Sequence, residues 1–531
     1  VLVPRELPHP VRRLLAPEAV TRVGEVASEN AAANSRRYDV ERWQGLERVR
    51  ELGHATVTRP DALLDPEGEE PTVLVPHQLR AFPFSDFEPV IVLDFGAVRN
   101  GRIALDVEAA EAVDIDLVYS VGLHDGAVLA HRGRSFHVKR LRTRGGRERW
   151  TSYDWSCFRY LQITVRTPSG YPLAIRQHPE VKIHSVGCEE TAYPLGEARE
   201  FRCSDPELAA LHAASVRTAG LCTNDRLMDN PVREKTSWNG DLNQVIPTLT
   251  ATYGNLAVVR RHFQMMLREQ LPSGNFSSIV PGQMEMIFDH ALRLPIFLNV
   301  YHQLTGDHEL VRSALPAMRR FLSYLDNYVD EDGLIRYVPF QLWFGWSDLD
   351  RGSPNATLNL LYLSLLQALH ELGHEVAEQR WMVEVGERMI PTAKAIRSEF
   401  WSPELQAFVD STSSYAPTIS EQTNGLALAT GVCTRAEQQR LLATVFEGGM
   451  ELGDNPDVSK CDPAFQYHVL DGLIVAGRAD LALEFLRRRN CNWLRAGLET
   501  IPEVWCPGFA SEISNVQATT PEAYLLDRIL L

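Results

Sequence analysis

The residues best suited to chemistry lie in one short stretch, 229–241, which reads DNPVREKTSWNGD. Its thirteen positions hold three carboxylates (Asp229, Glu234 and Asp241), one arginine (Arg233) and one tryptophan (Trp238). Pro231 and Gly240 mark it as a loop rather than a helix interior, and loops carry side chains out of the packing scaffold. A solvated surface loop has a similar charge content. Trp238, bracketed by carboxylates, favours a cleft for a sugar, because a flat apolar face receives the ring and the carboxylates accept from its hydroxyls. Arg233 could pair with Asp229 or Asp241 and hold it ionised for such binding.

The elements that must position this loop follow from the rest of the chain. With 531 residues and a 44% hydrophobic share, it can build two to four domains with large cores. A net charge of −16 argues against nucleic acid or an anionic membrane as main partner and leaves a small neutral molecule compatible. No apolar run reaches the roughly 18 residues of a membrane span. The first residues, from Val1, do not read as a signal peptide. Cys157, Cys188, Cys203, Cys222, Cys433, Cys461, Cys491 and Cys506 form no CxxC pair or zinc-like cluster. Reduced thiols and a cytoplasmic location are therefore expected.

Residues 1–70 are mixed and read as an extended or helical linking segment. From 71 to 197 the pattern alternates with period two, as in Arg102–Glu108, Val113–Tyr119 and Phe158–Val165, and predicts an antiparallel β-sandwich with one face buried and one wet. From 198 to 531 the period becomes helical. Asp205 is placed to cap a helix opening at Pro206, and amphipathic runs recur from Leu256 to the C-terminal Pro521–Leu531. About a dozen helices joined by alternating short and long loops predict an (α/α)6 barrel with one rim used as a cleft. An irregular bundle or an α-solenoid is the alternative. The chain thus reads as a multidomain β plus α protein.

The loop 229–241 resembles the signature D-C-P-x-R-E-x-x-G-W-x-G-D of the α-L-rhamnosidases of glycoside hydrolase family 78. Asn230 stands for the usual Cys and Ser237 for the usual Gly. Leu93-Asp94-Phe95-Gly96 with Gly101 is similar to the family's L-D-F-G…G, and Tyr153–Tyr160 to its Y-H-G-F-R-Y strand. Leu304–Asp307 resembles its Y-T-G-D helix end, and Asp350-Arg351 with Asn359 its D-R…L-N segment. The likeness implies hydrolysis with inversion, in which one carboxylic acid protonates the leaving oxygen and a second carboxylate activates water from the opposite face. By position, Glu234 is the implied acid, with Asp229, Arg233, Trp238 and Asp241 lining the sugar subsite. Neighbouring carboxylates are expected to raise the pKa of Glu234 toward working pH. Gly497–Trp505 resembles G-A-T-T-x-W-E-x-W, which makes Glu503 the implied base, with Glu499 as second candidate and Trp505 beside it.

Asp289 falls where the family often has Asp-Trp, with His290 in the Trp position, and Trp346 belongs to a dense aromatic stretch with Trp343 and Phe344. These aromatics line a cleft or pack a core. Asn515 stands where the family has a sugar-contacting His. No cofactor and no catalytic metal are expected, because His290, His302, His370, His374 and His468 are scattered. The likeness covers about residues 90–525. It suggests a compact form without the family's C-terminal β-domain, acting on a small glycoside or oligosaccharide. A sugar-active lyase or other glycosidase on the same barrel, or a non-catalytic carbohydrate-binding protein, remains as the alternative.

Overall fold

The computed structural model describes residues 11–29, 49–65, 67–79, 85–123, 126, 128, 131–132, 135–166, 180–282, 284–448, 455–505 and 522–530. Alternating apolar residues build an eleven-stranded antiparallel sheet in the N-terminal part. Its spine is the long strand Ser85–Ala109, which pairs with Ala19–Glu29, Ser156–Arg166 and Val181–Ala192. Val11–Leu15 pairs with Val181–Ala192. Part of the stretch read as a linking segment is therefore sheet. The helix-like spacing noted around Ser28–Arg50 falls mostly outside the described residues.

The expectation of one wet face needs correcting along the spine. Ile91, Leu93 and Phe95 pack into one buried cluster, while Val90 and Val92 pack into another on the opposite side. Successive side chains point to opposite faces of a strand, so an uninterrupted Val-Ile-Val-Leu run is the signature of a strand covered on both.

Helices begin at α1 (Pro206–Leu221), where the Asp205 carboxylate accepts from the backbone N–H groups of Glu207 and Leu208 as expected of a cap. Then follow α2 (Asn239–Thr252), α3 (Ala257–Arg268), α4 (Phe288–Thr305), α5 (His308–Leu325), α6 (Ala356–Glu375), α7 (Gln379–Phe400) and α8 (Glu421–Ala429). The last are α9 (Arg435–Leu441), α10 (Gln466–Val475), α11 (Ala479–Phe485), α12 (Cys491–Arg495) and α13 (Glu522–Leu530).

Burial sorts them into two kinds. Between Phe288 and His302, every residue of α4 except Ile296 is buried, and α6 is buried from Ala356 through Leu363. A helix buried on every face belongs inside, and the polar residues it carries there must find partners. By contrast α5 buries one stripe that includes Leu310, Val311, Ala314 and Met318. The inner kind touch in succession: α2 packs on α4, α4 on α6, α6 on α8, α8 on α10, α10 on α13, and α13 returns to α2. Gly306, at φ +67, ends α4, and Asp307 immediately caps α5. A left-handed residue without a side-chain penalty lets two helices meet in so short a corner. No helix among the described residues is long and apolar enough to cross a membrane.

Helix α2 was not legible, and Gly240 lies in its first turn rather than in a loop. A Cβ on Gly240 would come within 2.3 Å of the His290 ring, so glycine here permits close packing of α2 on the start of α4.

Candidate active site

The loop 229–241 is built by its own polar side chains. Asn230 Oδ1 accepts from the N–H groups of Val232 (2.8 Å) and Arg233 (3.1 Å), an Asx turn that shapes the start of the loop. Asp229 Oδ1 accepts from Thr236 N–H at 2.8 Å, closing the loop. Ser237 Oγ donates to Leu227 O at 2.6 Å, so the second departure from the signature is also a structural tie. Ser237–Trp238 then pairs with Ile279–Val280 before α2 begins.

The turn projects Arg233 between two glutamates distant in sequence. Arg233 Nη1 lies 3.2 Å from Glu234 Oε1, and Nη2 lies 3.4 Å from Glu503 Oε2. Each glutamate is also held by an indole. Trp238 Nε1 donates to Glu234 Oε2 at 2.9 Å, and Trp346 Nε1 donates to Glu503 Oε1 at 2.9 Å. Trp346 is 58% exposed and meets Trp343 edge-on. Its loop is pinned by Arg351, whose Nη2 donates to the carbonyls of Trp343, Gly345 and Ser347 at 2.9–3.1 Å.

The sheet braces both halves. Lys235 Nζ donates to Trp155 O at 2.6 Å and sits 4.0 Å from that indole's centre. Glu499 accepts from Val98 N–H at 3.0 Å and from Arg159 Nη1 at 3.5 Å. Glu499, the second candidate for the base, is thus spent on the sheet, whereas Glu503 faces Arg233.

Negative charge is crowded here. Burial, the hydrogen bond to Glu234 and the Glu234 and Asp241 charges push Asp229 well above the usual carboxylate range. Burial pushes Asp241 up to about 8; Arg293 opposes this, and Glu503, Glu234 and Asp462 add to it. Burial likewise raises Asp462 to about 7 and moves Glu503 upward against the pull of Arg233 and the Trp346 N–H. Glu234 goes the other way. Burial would raise it, but the Asp229 hydrogen bond, Arg233 and Trp238 outweigh that. The expectation that Glu234 itself would be raised is corrected: of this hydrogen-bonded pair, Asp229 is pushed up and Glu234 is pulled down.

The remaining predicted residues fall into other roles. Asp289 is fully buried. Its oxygens accept from the N–H groups of Trp343 (2.8 Å) and Phe344 (3.4 Å), and it pairs with Arg293 at 3.0 Å. It therefore shapes the aromatic loop and presents no free oxygen to a sugar. Trp505 donates to Cys461 O at 2.6 Å and stacks on Trp493, which commits it to packing. Asn515 lies outside the described residues. His290, held neutral by burial with a pKa of about 3, meets Trp238 and Trp343 edge-on. Asp462 and Arg293 were missed, since a lone acid in a loop and an arginine inside an apolar helix carry no spacing signal.

Residues 196–513 match the family described as the bacterial alpha-L-rhamnosidase 6 hairpin glycosidase domain. The chain belongs to glycoside hydrolase family 78. The likeness to an alpha-L-rhamnosidase of Streptomyces avermitilis is 24% identity over 306 residues, which is 55% of this chain and 28% of that one. The family fold recurs in a rhamnosidase from Klebsiella oxytoca solved with rhamnose bound (TM-score 0.76, 17% identity, 99% of this chain and 97% of that one). It recurs too in the GH78 rhamnosidase of Bacillus sp. GL1 (TM-score 0.73, 22% identity, 90% of this chain and 49% of that one). The chain thus spans about half of the Bacillus protein and just over a quarter of the Streptomyces one.

Proposed function

We propose that this family 78 member is an inverting glycosidase that releases terminal α-L-rhamnose or a close relative. Glu234 acts as general acid and Glu503 as general base. Asp229, Arg233, Trp238, Asp241 and Trp346 line the sugar subsite. The cleft occupies one rim of an (α/α)6 barrel that follows a β-sandwich; the closed succession of α2, α4, α6, α8, α10 and α13 supports that reading.

The observation that carries the assignment is the Arg233 bridge. Two bonds of 3.2 and 3.4 Å on either side of one planar guanidinium keep the bonded oxygens of Glu234 and Glu503 within about 9 Å. Inverting enzymes keep their carboxyls roughly 6.5–9.5 Å apart and retaining ones about 5–5.5 Å, so the bridge sets the two glutamates at the span of one glycosidic bond, and inversion rests on the family resemblance. The family assignment and the Klebsiella rhamnosidase solved with rhamnose bound support the sugar.

The proton logic follows from the charge crowding. Glu234 receives the proton held in its hydrogen bond with Asp229 and delivers it to the glycosidic oxygen as the C–O bond breaks. Glu503 removes a proton from the water that forms the new bond to the anomeric carbon from the opposite face. Asp241, protonated at neutral pH, donates to a sugar hydroxyl. Glu234→Gln and Glu503→Gln are each expected to lower turnover of an aryl α-L-rhamnoside by about 10²–10⁴-fold while leaving binding in place. Normal turnover in both would overturn the assignment.

A further inference from the structure

At the far end of α4 from the cleft, three helix ends bring together His302, His308 and Glu375. They are the single group of three or more His, Cys, Asp or Glu among the described residues whose ligand atoms all lie within 4.8 Å of one another. His302 Nε2 and His308 Nδ1 are 3.1 Å apart. Two nitrogens bound tetrahedrally to zinc at about 2.0–2.1 Å are separated by about 3.3 Å, so the imidazoles already stand at ligand spacing. We propose that His302 Nε2, His308 Nδ1 and the Glu375 carboxylate form a binding site for a divalent transition metal, zinc above all, that staples α4, α5 and α6 together.

Several independent features fit. His302 is buried, so packing holds its ring in place. His308 and Glu375 are exposed, which gives the ion an entry path and leaves Glu375 free to swing the remaining distance. His302 and Glu375 sit at the C-terminal ends of α4 and α6, where helix dipoles favour a cation; His308 at the start of α5 is the one opposing end. The Gly306–Asp307 corner fixes the two histidines, since Asp307 is itself anchored by Arg260 at 2.8 Å and by the Tyr301 hydroxyl at 3.3 Å. A cavity of about 280 Å³ lined by Asn299, Gln303, His370, Glu371, His374 and Glu375 adjoins the site and adds acidic character.

The site is structural rather than catalytic. His290 touches the cleft, and His302 lies twelve residues further along the same helix, about 18 Å at 1.5 Å per residue. Sequence reading passed over it because His302 and His308 are separated by a helix end and a turn.

The test is zinc titration of the chelator-stripped full chain by isothermal calorimetry, with the melting temperature followed in parallel. The expected result is one zinc per chain and a rise in Tm of about 3 °C or more at saturating zinc. In His308→Ala and Glu375→Gln, both at exposed positions, zinc binding should weaken about tenfold or more and the Tm rise should shrink. Their metal-free Tm and their kcat should stay at wild-type values. Absence of zinc binding by the wild-type chain, or an affinity unchanged in both variants, would overturn the site.

Discussion

The sheet and the helical cleft handle carboxylates in opposite ways. In the sheet, each buried aspartate is matched to arginine. Asp106 takes Arg147 at 2.9 Å and Arg149 at 3.0 Å, Asp114 takes Arg142 at 2.7 Å, and Asp116 takes Arg140 at 2.7 Å; the half-buried Asp94 takes Arg159 through two bonds of 2.8 and 2.9 Å. Arg147 holds Asp106 below the usual carboxylate range; Arg142 does the same for Asp114 against burial. In the cleft, Asp229, Glu234, Asp241, Asp462 and Glu503 crowd around Arg233 and Arg293, and all but Glu234 are raised. Cross-strand pairs neutralise charge to hold a sheet together. The cleft instead keeps a surplus of acid, which is useful where protons must be held and passed on.

The contrast can be broken from either side. The largest effect belongs to the Glu234→Gln and Glu503→Gln pair described above. Next comes Arg233→Met, which removes the cation between them. We expect kcat/KM to fall about 10–10²-fold. Because Arg233 pulls Glu503 downward, its loss should move the acidic limb of the kcat/KM profile to higher pH, read directly from a pH–rate series. An unmoved limb would separate Arg233 from the base.

Asp241→Asn probes the surplus itself. The folded pKa of about 8 exceeds the unfolded value near 4. The associated stability is present in full below pH 4 and is lost as pH rises through 8. Wild-type Tm should therefore decline between pH 5 and 8, and the Asn variant should decline less, by a few degrees. Asp106→Asn is the mirror case and the smallest effect. Its pKa is lowered, so its stabilisation is present above the unfolded value and disappears as pH falls through the folded one. With both arginine partners more than half exposed, the cost at neutral pH should be about 1 kcal/mol, measured by denaturant unfolding, and should vanish at low pH.

Much of this organisation was legible in the sequence. Strand alternation in Arg102–Glu108 and Phe158–Val165 announced the sheet, because a half-buried strand must repeat every two residues. Asp205-Pro206 announced a helix start through backbone chemistry, and Gly306-Asp307 a helix end through the family resemblance. The loop 229–241 revealed itself by density. What was hidden depended on tertiary context. Helix α2 contains Gly240, Pro247 and three threonines, a poor helix by composition that is held by packing between its neighbours. Asp289 looked like a ligand contact until its oxygens proved to be filled by backbone N–H groups. Asp462 and Arg293 are ordinary residues until the fold brings them beside Glu503 and Asp241. The upward push on Asp229 rather than Glu234 follows from relative burial, which no spacing encodes.

The most direct test of the central claim is the anomeric outcome of hydrolysis, followed by proton NMR during the first turnovers on an aryl α-L-rhamnoside. Opposed action of Glu234 and Glu503 predicts that β-L-rhamnose appears first and mutarotates afterwards. First appearance of the α anomer would contradict the account.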